Sequence, residues 1–171
     1  MSWTQLLFSF KGRIQRLYFW ITSLVVAVVA GMASSTLELV AKSTGSGIIN
    51  PDTDAFEPTG PYAVGLFVIA IANMWINFAV CVKRLHDRDR TGWWLAVQLL
   101  FLTIAIVSVV VAIMLPEEQR AAGYIAAGVA GTVAFAVSLW LFIEIGFLKG
   151  TQGPNRYGSD PLGATEADAN L

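Results

Sequence analysis

Four long apolar runs constrain this chain more than any other feature. A helix needs roughly 20 mostly apolar residues to cross a bilayer, and such runs occupy about 17–40, 62–82, 93–115 and 124–148. Aromatic residues stand near their ends: Tyr18, Trp20, Tyr62, Trp93, Trp94, Tyr124 and Phe147. Amphipathic rings favour the headgroup level, so this is where interfacial belts belong. A soluble helical bundle needs a polar face on each helix, and no such face interrupts these runs. Composition agrees, with 56% hydrophobic and only 13% charged residues, about half the charge of an ordinary soluble domain. The first run follows basic residues and contains Ala30 and Ala33 among small neighbours, as a signal peptide would. It continues to Val40, too far for a signal core, and reads as an uncleaved anchor. The expected fold is an all-α polytopic membrane protein. It is a four-helix transmembrane bundle forming a single domain over residues 1–161.

Orientation follows from the basic residues. Lys11, Arg13, Arg16, Lys83, Arg84, Arg88, Arg90, Lys149 and Arg156 fall on one side, and only Lys42 and Arg120 on the other. Basic loops stay cytoplasmic, which predicts that both termini lie on the cytoplasmic side. The stretch from Ser43 to Pro61, rich in Gly, Pro, Asp and Thr, then reads as an irregular external loop. Pro116 to Gly123 reads as a short external turn, making the last two spans antiparallel neighbours.

Trp3, Leu6, Leu7 and Phe10 share one helical face. Ser2 and Gln5 have the spacing of a capping box. A short amphipathic interfacial helix is expected here, ended by Gly12. Turn formers crowd Gly150 to Pro161, which predicts a folded-back turn. The small polar residues 162–171 read as a disordered tail.

Three basic-side segments now stand together. They are Phe10-Lys11-Gly12-Arg13-Ile14-Gln15-Arg16 with Phe19-Trp20; Lys83-Arg84-Leu85-His86-Asp87 with Gly92-Trp93-Trp94; and Gly150-Thr151-Gln152-Gly153-Pro154-Asn155-Arg156-Tyr157-Gly158 with Asp160-Pro161. In this order and spacing the chain resembles the bacterial YhaH-like inner-membrane proteins, domain of unknown function eight hundred and five. Lys83 stands where a second Arg is expected, and Thr91 where Ser is expected. The resemblance implies a bacterial cytoplasmic membrane and supports four spans. It transfers no activity.

The candidate chemistry lies at one depth. Asn77, Gln98 and Glu144 each fall four or five residues inside the basic end of a span, about 6–9 Å below the interface at 1.5 Å per residue. A carboxylate at such depth needs a partner. On span four, Ala127, Ala130, Ala134, Val137, Leu141 and Glu144 share a face that should point inward. We expect Glu144 to pair with Arg13, Arg16 or Arg84, in a polar cluster that also holds Asn77, His86, Asp87 and Gln98. The tail motif Gly153, Pro154, Asn155, Arg156, Tyr157 and Gly158 lies close by in the topology. His86-Asp87 invites a general-base reading, although adjacent residues rarely have that geometry; local pairing of Asp87 with the arginines is the plainer expectation. One His and one Cys build no metal site, and no cofactor is expected.

The leading expectation is a non-enzymatic accessory, scaffold or lipid-interacting membrane protein with a basic cytoplasmic face. Its partners would be anionic lipid headgroups, and either a second copy or another membrane protein, but no nucleic acid. A small transporter using Glu144 as its coupling carboxylate is the runner-up. A membrane enzyme using His86 and Asp87 comes third.

Overall fold

The computed structural model describes residues 2–163; the disorder expected for the tail falls mostly on 164–171, outside the described residues. Among the described residues five helices and one hairpin follow in order: α1 Trp3–Phe8, α2 Arg16–Ser43, β1 Gly47–Ile49, β2 Phe56–Pro58, α3 Pro61–Asp87, α4 Trp93–Met114 and α5 Glu117–Gly146. The four helices α2 to α5 are each long and apolar enough to cross a membrane, and the chain is an all-α polytopic membrane protein. It divides into two compact units: residues 2–10 with 17–80, and residues 11–16 with 81–163.

In the first unit, α1 begins as its capping box requires. Ser2 Oγ accepts from the Gln5 backbone N–H, and Gln5 Oε1 accepts from the Ser2 N–H, both at 3.3 Å. These two bonds satisfy donors that a helix start leaves open. The helix stops at Phe8, earlier than the expected Gly12, because Ser9 turns extended and donates its N–H to Gln5 O. Phe10 thereby leaves the helical stripe and meets Trp75 edge-on at 5.1 Å. Gly12, at φ 93°, serves the following bend instead.

The segment between α2 and α3 is not wholly irregular, as its turn-rich composition led us to expect. β1 and β2 pair antiparallel, with Ile48 opposite Glu57. Asn50 closes the turn: its carbonyl accepts from Asp54 N–H at 2.9 Å and its side chain accepts from Asp52 N–H at 2.9 Å. A Cβ on Gly47 would stand 2.3 Å from the Phe56 ring, so only glycine lets the strands close. Below this hairpin α2 meets α3 where Gly65 admits Leu37; a Cβ there would stand 2.7 Å from the leucine.

In the second unit, α4 and α5 form an antiparallel hairpin. The expected turn over Pro116–Gly123 is instead helical from Glu117, leaving Leu115 and Pro116 as the link. Proline suits a helix start, and Glu117 and Glu118 complement the positive end of the helix dipole. Arg120 Nε donates to Leu115 O at 3.0 Å and ties the new helix to the end of α4. Gly123 then lies against Ala112, where a Cβ would come within 2.5 Å. The small residues permit this approach. Ala130, Ala134, Leu141 and Glu144 continue the same stripe, all buried.

Candidate functional site

The second unit collects the polar residues around the last turn of α3 and the end of α5. α5 has no basic residue in its own last turn, and a helix end leaves its last carbonyls without partners. Arginines from other segments supply the donors. Arg84 donates through Nε to Ile145 O at 2.8 Å and through Nη2 to Leu148 O. Arg16 donates to Phe147 O at 2.9 Å, and Arg88 to Lys149 O. In apolar surroundings every backbone carbonyl needs such a donor.

Asp87 is the centre of this arrangement and is 3% exposed. Its Oδ1 accepts from Arg13 at 3.1 Å, and its Oδ2 from Arg84. Arg13 is equally buried and goes on to donate to Thr151 O at 2.6 Å and Gly153 O at 2.7 Å. The Asp87 carbonyl in turn accepts from Thr151 N–H at 2.8 Å. A Cβ at Gly150 would stand 2.1 Å from Asp87 Oδ2, so the chain passes the carboxylate only as glycine. Lys83 is fully buried beside Arg84.

Glu144 is buried and bonded to arginine, but not to those we expected. Arg88 and Arg90 both donate to its Oε1 at 3.2 Å. Arg13 and Arg84 instead hold Asp87, and Arg16 caps α5. The physical reason is competition: Asp87 sits on the same turn of α3 as Arg84 and takes its guanidinium locally. The loop after α3 then carries Arg88 and Arg90 to Glu144. Arg90 also lies over the Trp140 ring at 5.7 Å.

His86 and Asp87 do not act on one another. The imidazole stacks on Tyr157 at 3.8 Å, the rings 5° from parallel, and its Nδ1 donates to Gly12 O at 3.3 Å. The tail motif forms a folded-back turn around this stack. Asn155 and Gly158 exchange backbone bonds at 3.0 and 3.1 Å, and Asn155 Nδ2 donates to His86 O at 2.9 Å. Arg156 pairs with Asp89 at 3.0 Å and lies over the Tyr157 ring at 4.9 Å. Gly153 and Gly158 take the positive φ values of 74° and 139° that the turn needs, and Pro154 lies exposed between them and outside these contacts. Asp160 fastens the turn by accepting from Gly153 N–H at 2.8 Å and Leu162 N–H at 2.9 Å. The Leu162 bond, then that of Gly153, holds its carboxyl below the usual range. His86, Thr91, Gly92, Trp93, Ala96 and Tyr157 line a shallow recess of about 400 Å³.

Two expected members stand elsewhere. Asn77 belongs to the first unit and donates to Asn73 O at 2.8 Å and Asn73 Oδ1 at 2.5 Å. Gln98 lies on the α4–α5 seam and donates to Ser138 Oγ, while its buried Oε1 has no partner among the described residues. Reasoning from sequence did not single out Thr151 and Gly150 as site residues, and it gave Arg88 and Arg90 to the neighbouring aspartates, to lipid or to topology rather than to Glu144. The missing basic residue at the end of α5 was the signal for a cap supplied from elsewhere. Among the described residues no three His, Cys, Asp or Glu side chains stand together as a metal site would require.

Comparison with known proteins gives the family. The family described as "Protein of unknown function (DUF805)" matches residues 7–159. An Escherichia coli K12 protein, "Uncharacterized protein YiiR", is 31% identical over 160 residues, covering 94% of this chain and 90% of its own. The YiiR sequence of Escherichia coli O157:H7 matches to the same extent. No solved structure matches.

Proposed function

We propose that this chain, which belongs to the DUF805 family of proteins of unknown function, is a non-enzymatic accessory or scaffold protein of the bacterial cytoplasmic membrane, with both termini inside and a basic cytoplasmic face that binds anionic lipid headgroups. One observation carries the reading: basic residues outnumber carboxylates at the basic end, and part of that surplus is exposed. Nine Lys and Arg there meet four carboxylates, Asp87, Asp89, Glu144 and Asp160, among the described residues. The two buried carboxylates, Asp87 and Glu144, are held by Arg13, Arg84, Arg88 and Arg90. Lys11, Arg16, Lys149 and Arg156 remain exposed. A cluster of this size beside a membrane span attracts anionic headgroups at about 1 kcal/mol per basic residue.

The same contacts speak against catalysis. The His86–Asp87 pair would need Asp87 to orient the imidazole, whereas Asp87 is enclosed by two guanidinium groups and His86 turns its Nδ1 to Gly12 O. Glu144, bonded by two arginines, suits a structural carboxylate better than a coupling one.

Native mass spectrometry of the protein reconstituted with equal phosphatidylglycerol and phosphatidylethanolamine tests the proposal. The wild type should retain phosphatidylglycerol preferentially, and Lys11→Gln with Lys149→Gln should weaken that preference. Equal retention of the two lipids by the wild type sinks it.

A further inference from the structure

Arg88 and Arg90 have donors that their contacts with Glu144 do not use. α3 ends in a cap that fixes the backbone of both arginines. Arg90 N–H donates to Leu85 O at 2.8 Å and Asp89 N–H to His86 O at 3.0 Å, with Asp89 at φ 54°. The side chains are fixed as well. Each donates through Nε to the same oxygen, Oε1 of Glu144, at 3.2 Å, so the two Nε atoms are at most twice that distance apart. Arg88 gives its Nη1 to Lys149 O. Arg90 lies over the Trp140 ring, which packs on Trp94 at 4.7 Å.

Both Nη groups of Arg90 and Nη2 of Arg88 have no hydrogen-bond partner among the described residues. The Glu144 side chain that orders them is 5% exposed, whereas those of Arg88 and Arg90 are 24% and 46% exposed. The neighbouring carboxylate of Asp89 is taken by Arg156 at 3.0 Å. Two forks held by a buried carboxylate and open to the outside make a built anion site, because the entropy of ordering them is lost before a ligand arrives. Charge and shape select the anion. Two guanidinium charges and one carboxylate leave one positive charge, which the single negative charge of a phosphodiester cancels. A phosphate group offers oxygens in several directions and can accept from two forks, through charge-assisted bonds of about 2.7–2.9 Å. A carboxylate has two oxygens in one plane and suits a single fork. Trp93 and Trp94, exposed at the start of α4, belong at the headgroup level, where lipid phosphates lie.

We propose that Arg88 and Arg90, ordered by Glu144, form a one-to-one site for a phosphodiester, carried by a lipid headgroup or by a soluble ester. The proposal rests on the basic-face reading for its class of ligand, but it depends on the geometry of two forks, whereas that reading depends on the number of charges.

Arginine modification and a charge-keeping substitution test it together. The full chain in maltoside detergent is treated with phenylglyoxal, and the modified residues are mapped by mass spectrometry. One arm contains phosphatidylglycerol, and the other glycerophosphoglycerol, the same headgroup without acyl chains. A ligand of the site should shield Arg88 and Arg90 saturably, at one molecule per chain, and more than it shields Arg156. Shielding in both arms assigns the site to the phosphodiester itself. Shielding by phosphatidylglycerol alone makes the source the lipid, and by glycerophosphoglycerol alone a soluble ester. Acetate at the same concentration should shield neither arginine. Arg90→Lys keeps the charge and the reach to Glu144 but loses the fork, so one-to-one retention of phosphatidylglycerol in native mass spectrometry should fall about tenfold or more. Unchanged retention by a folded Arg90→Lys protein would overturn the proposal. So would equal shielding by acetate, shielding of Arg156 as strong as that of Arg90, or no shielding in either arm. The shielding is read on the wild type and stands even if the variant fails to fold. Equal retention of phosphatidylglycerol and phosphatidylethanolamine with Arg90 still shielded would overturn only the basic-face reading. A phosphatidylglycerol preference that Lys11→Gln with Lys149→Gln weakens and Arg90→Lys leaves intact would overturn only the two-fork site.

Discussion

At the scale of single residues, Asp87 decides the most. It is the shared carboxylate partner of two buried guanidinium groups, and each of those also holds backbone carbonyls. Breaking a buried ion pair by removing one partner costs about 3–5 kcal/mol, because the remaining charge stays buried without compensation. We therefore expect Asp87→Ala to lower stability by about that amount, and Asp87→Asn by less, since its amide oxygen still accepts one bond. Thermal unfolding in detergent, followed by near-ultraviolet circular dichroism, measures both. An Asp87→Ala protein as stable as the wild type would contradict the central role given to this carboxylate. The sequence marked Asp87 and its arginines as candidates from charge and position alone. It did not separate Asp87 from Glu144 as the partner of Arg84, because that choice turns on which carboxylate shares a helical turn with the arginine and which is reached by a loop.

At the scale of elements, the tail turn and the end of α5 depend on close approach. Gly150 passes Asp87 where no Cβ fits, so Gly150→Ala should cost about 1–3 kcal/mol, as overpacking of a filled interior does. It should loosen the turn around Asn155 before it unfolds the helices, visible as faster amide exchange at Asn155 and Gly158 with the exchange of α4 unchanged. Simultaneous loss of protection in α4 and the tail would show that the turn is not a separate element.

Asp160 adds a pH dependence. Its folded pKa is depressed by the Leu162 and Gly153 N–H groups, so the folded turn favours the ionised form. The resulting stabilisation is present above the ordinary carboxylate pKa and disappears as pH falls through the depressed value. Exchange at Gly153 and Leu162 should therefore rise, relative to its intrinsic rate, only on acidification below the usual carboxylate range. Asp160→Asn should abolish that dependence.

At the scale of the whole molecule, the remaining question is orientation. The basic residues crowd one end of the spans, and short basic loops remain cytoplasmic. In a Cys81→Ala background, Thr53→Cys should react with an impermeant thiol reagent in intact cells, and Ser159→Cys should react only after permeabilisation. Both positions are exposed, so access to the reagent depends on the membrane and not on local packing. The opposite labelling pattern would invert the topology and place the basic face outside.

The sequence by itself determined the existence of the spans, the capped N-terminal helix and the inward stripe of α5. These depend on local properties: run length, the spacing of Ser2 and Gln5, and the recurrence of small residues at steps of three and four. Boundaries set by local competition were harder to read, as where α5 starts at Glu117 behind a proline and two acidic residues. Only the tertiary structure decided which arginine meets which carbonyl or carboxylate. A guanidinium reaches any acceptor within several ångströms, and nine basic side chains near a few acceptors allow many pairings of similar energy. The choice between them is made by backbone positions distant in sequence. Arg13 meets Asp87 across 74 residues, Arg84 meets Ile145 across 61, and Gly150 leaves room for the carboxylate between them.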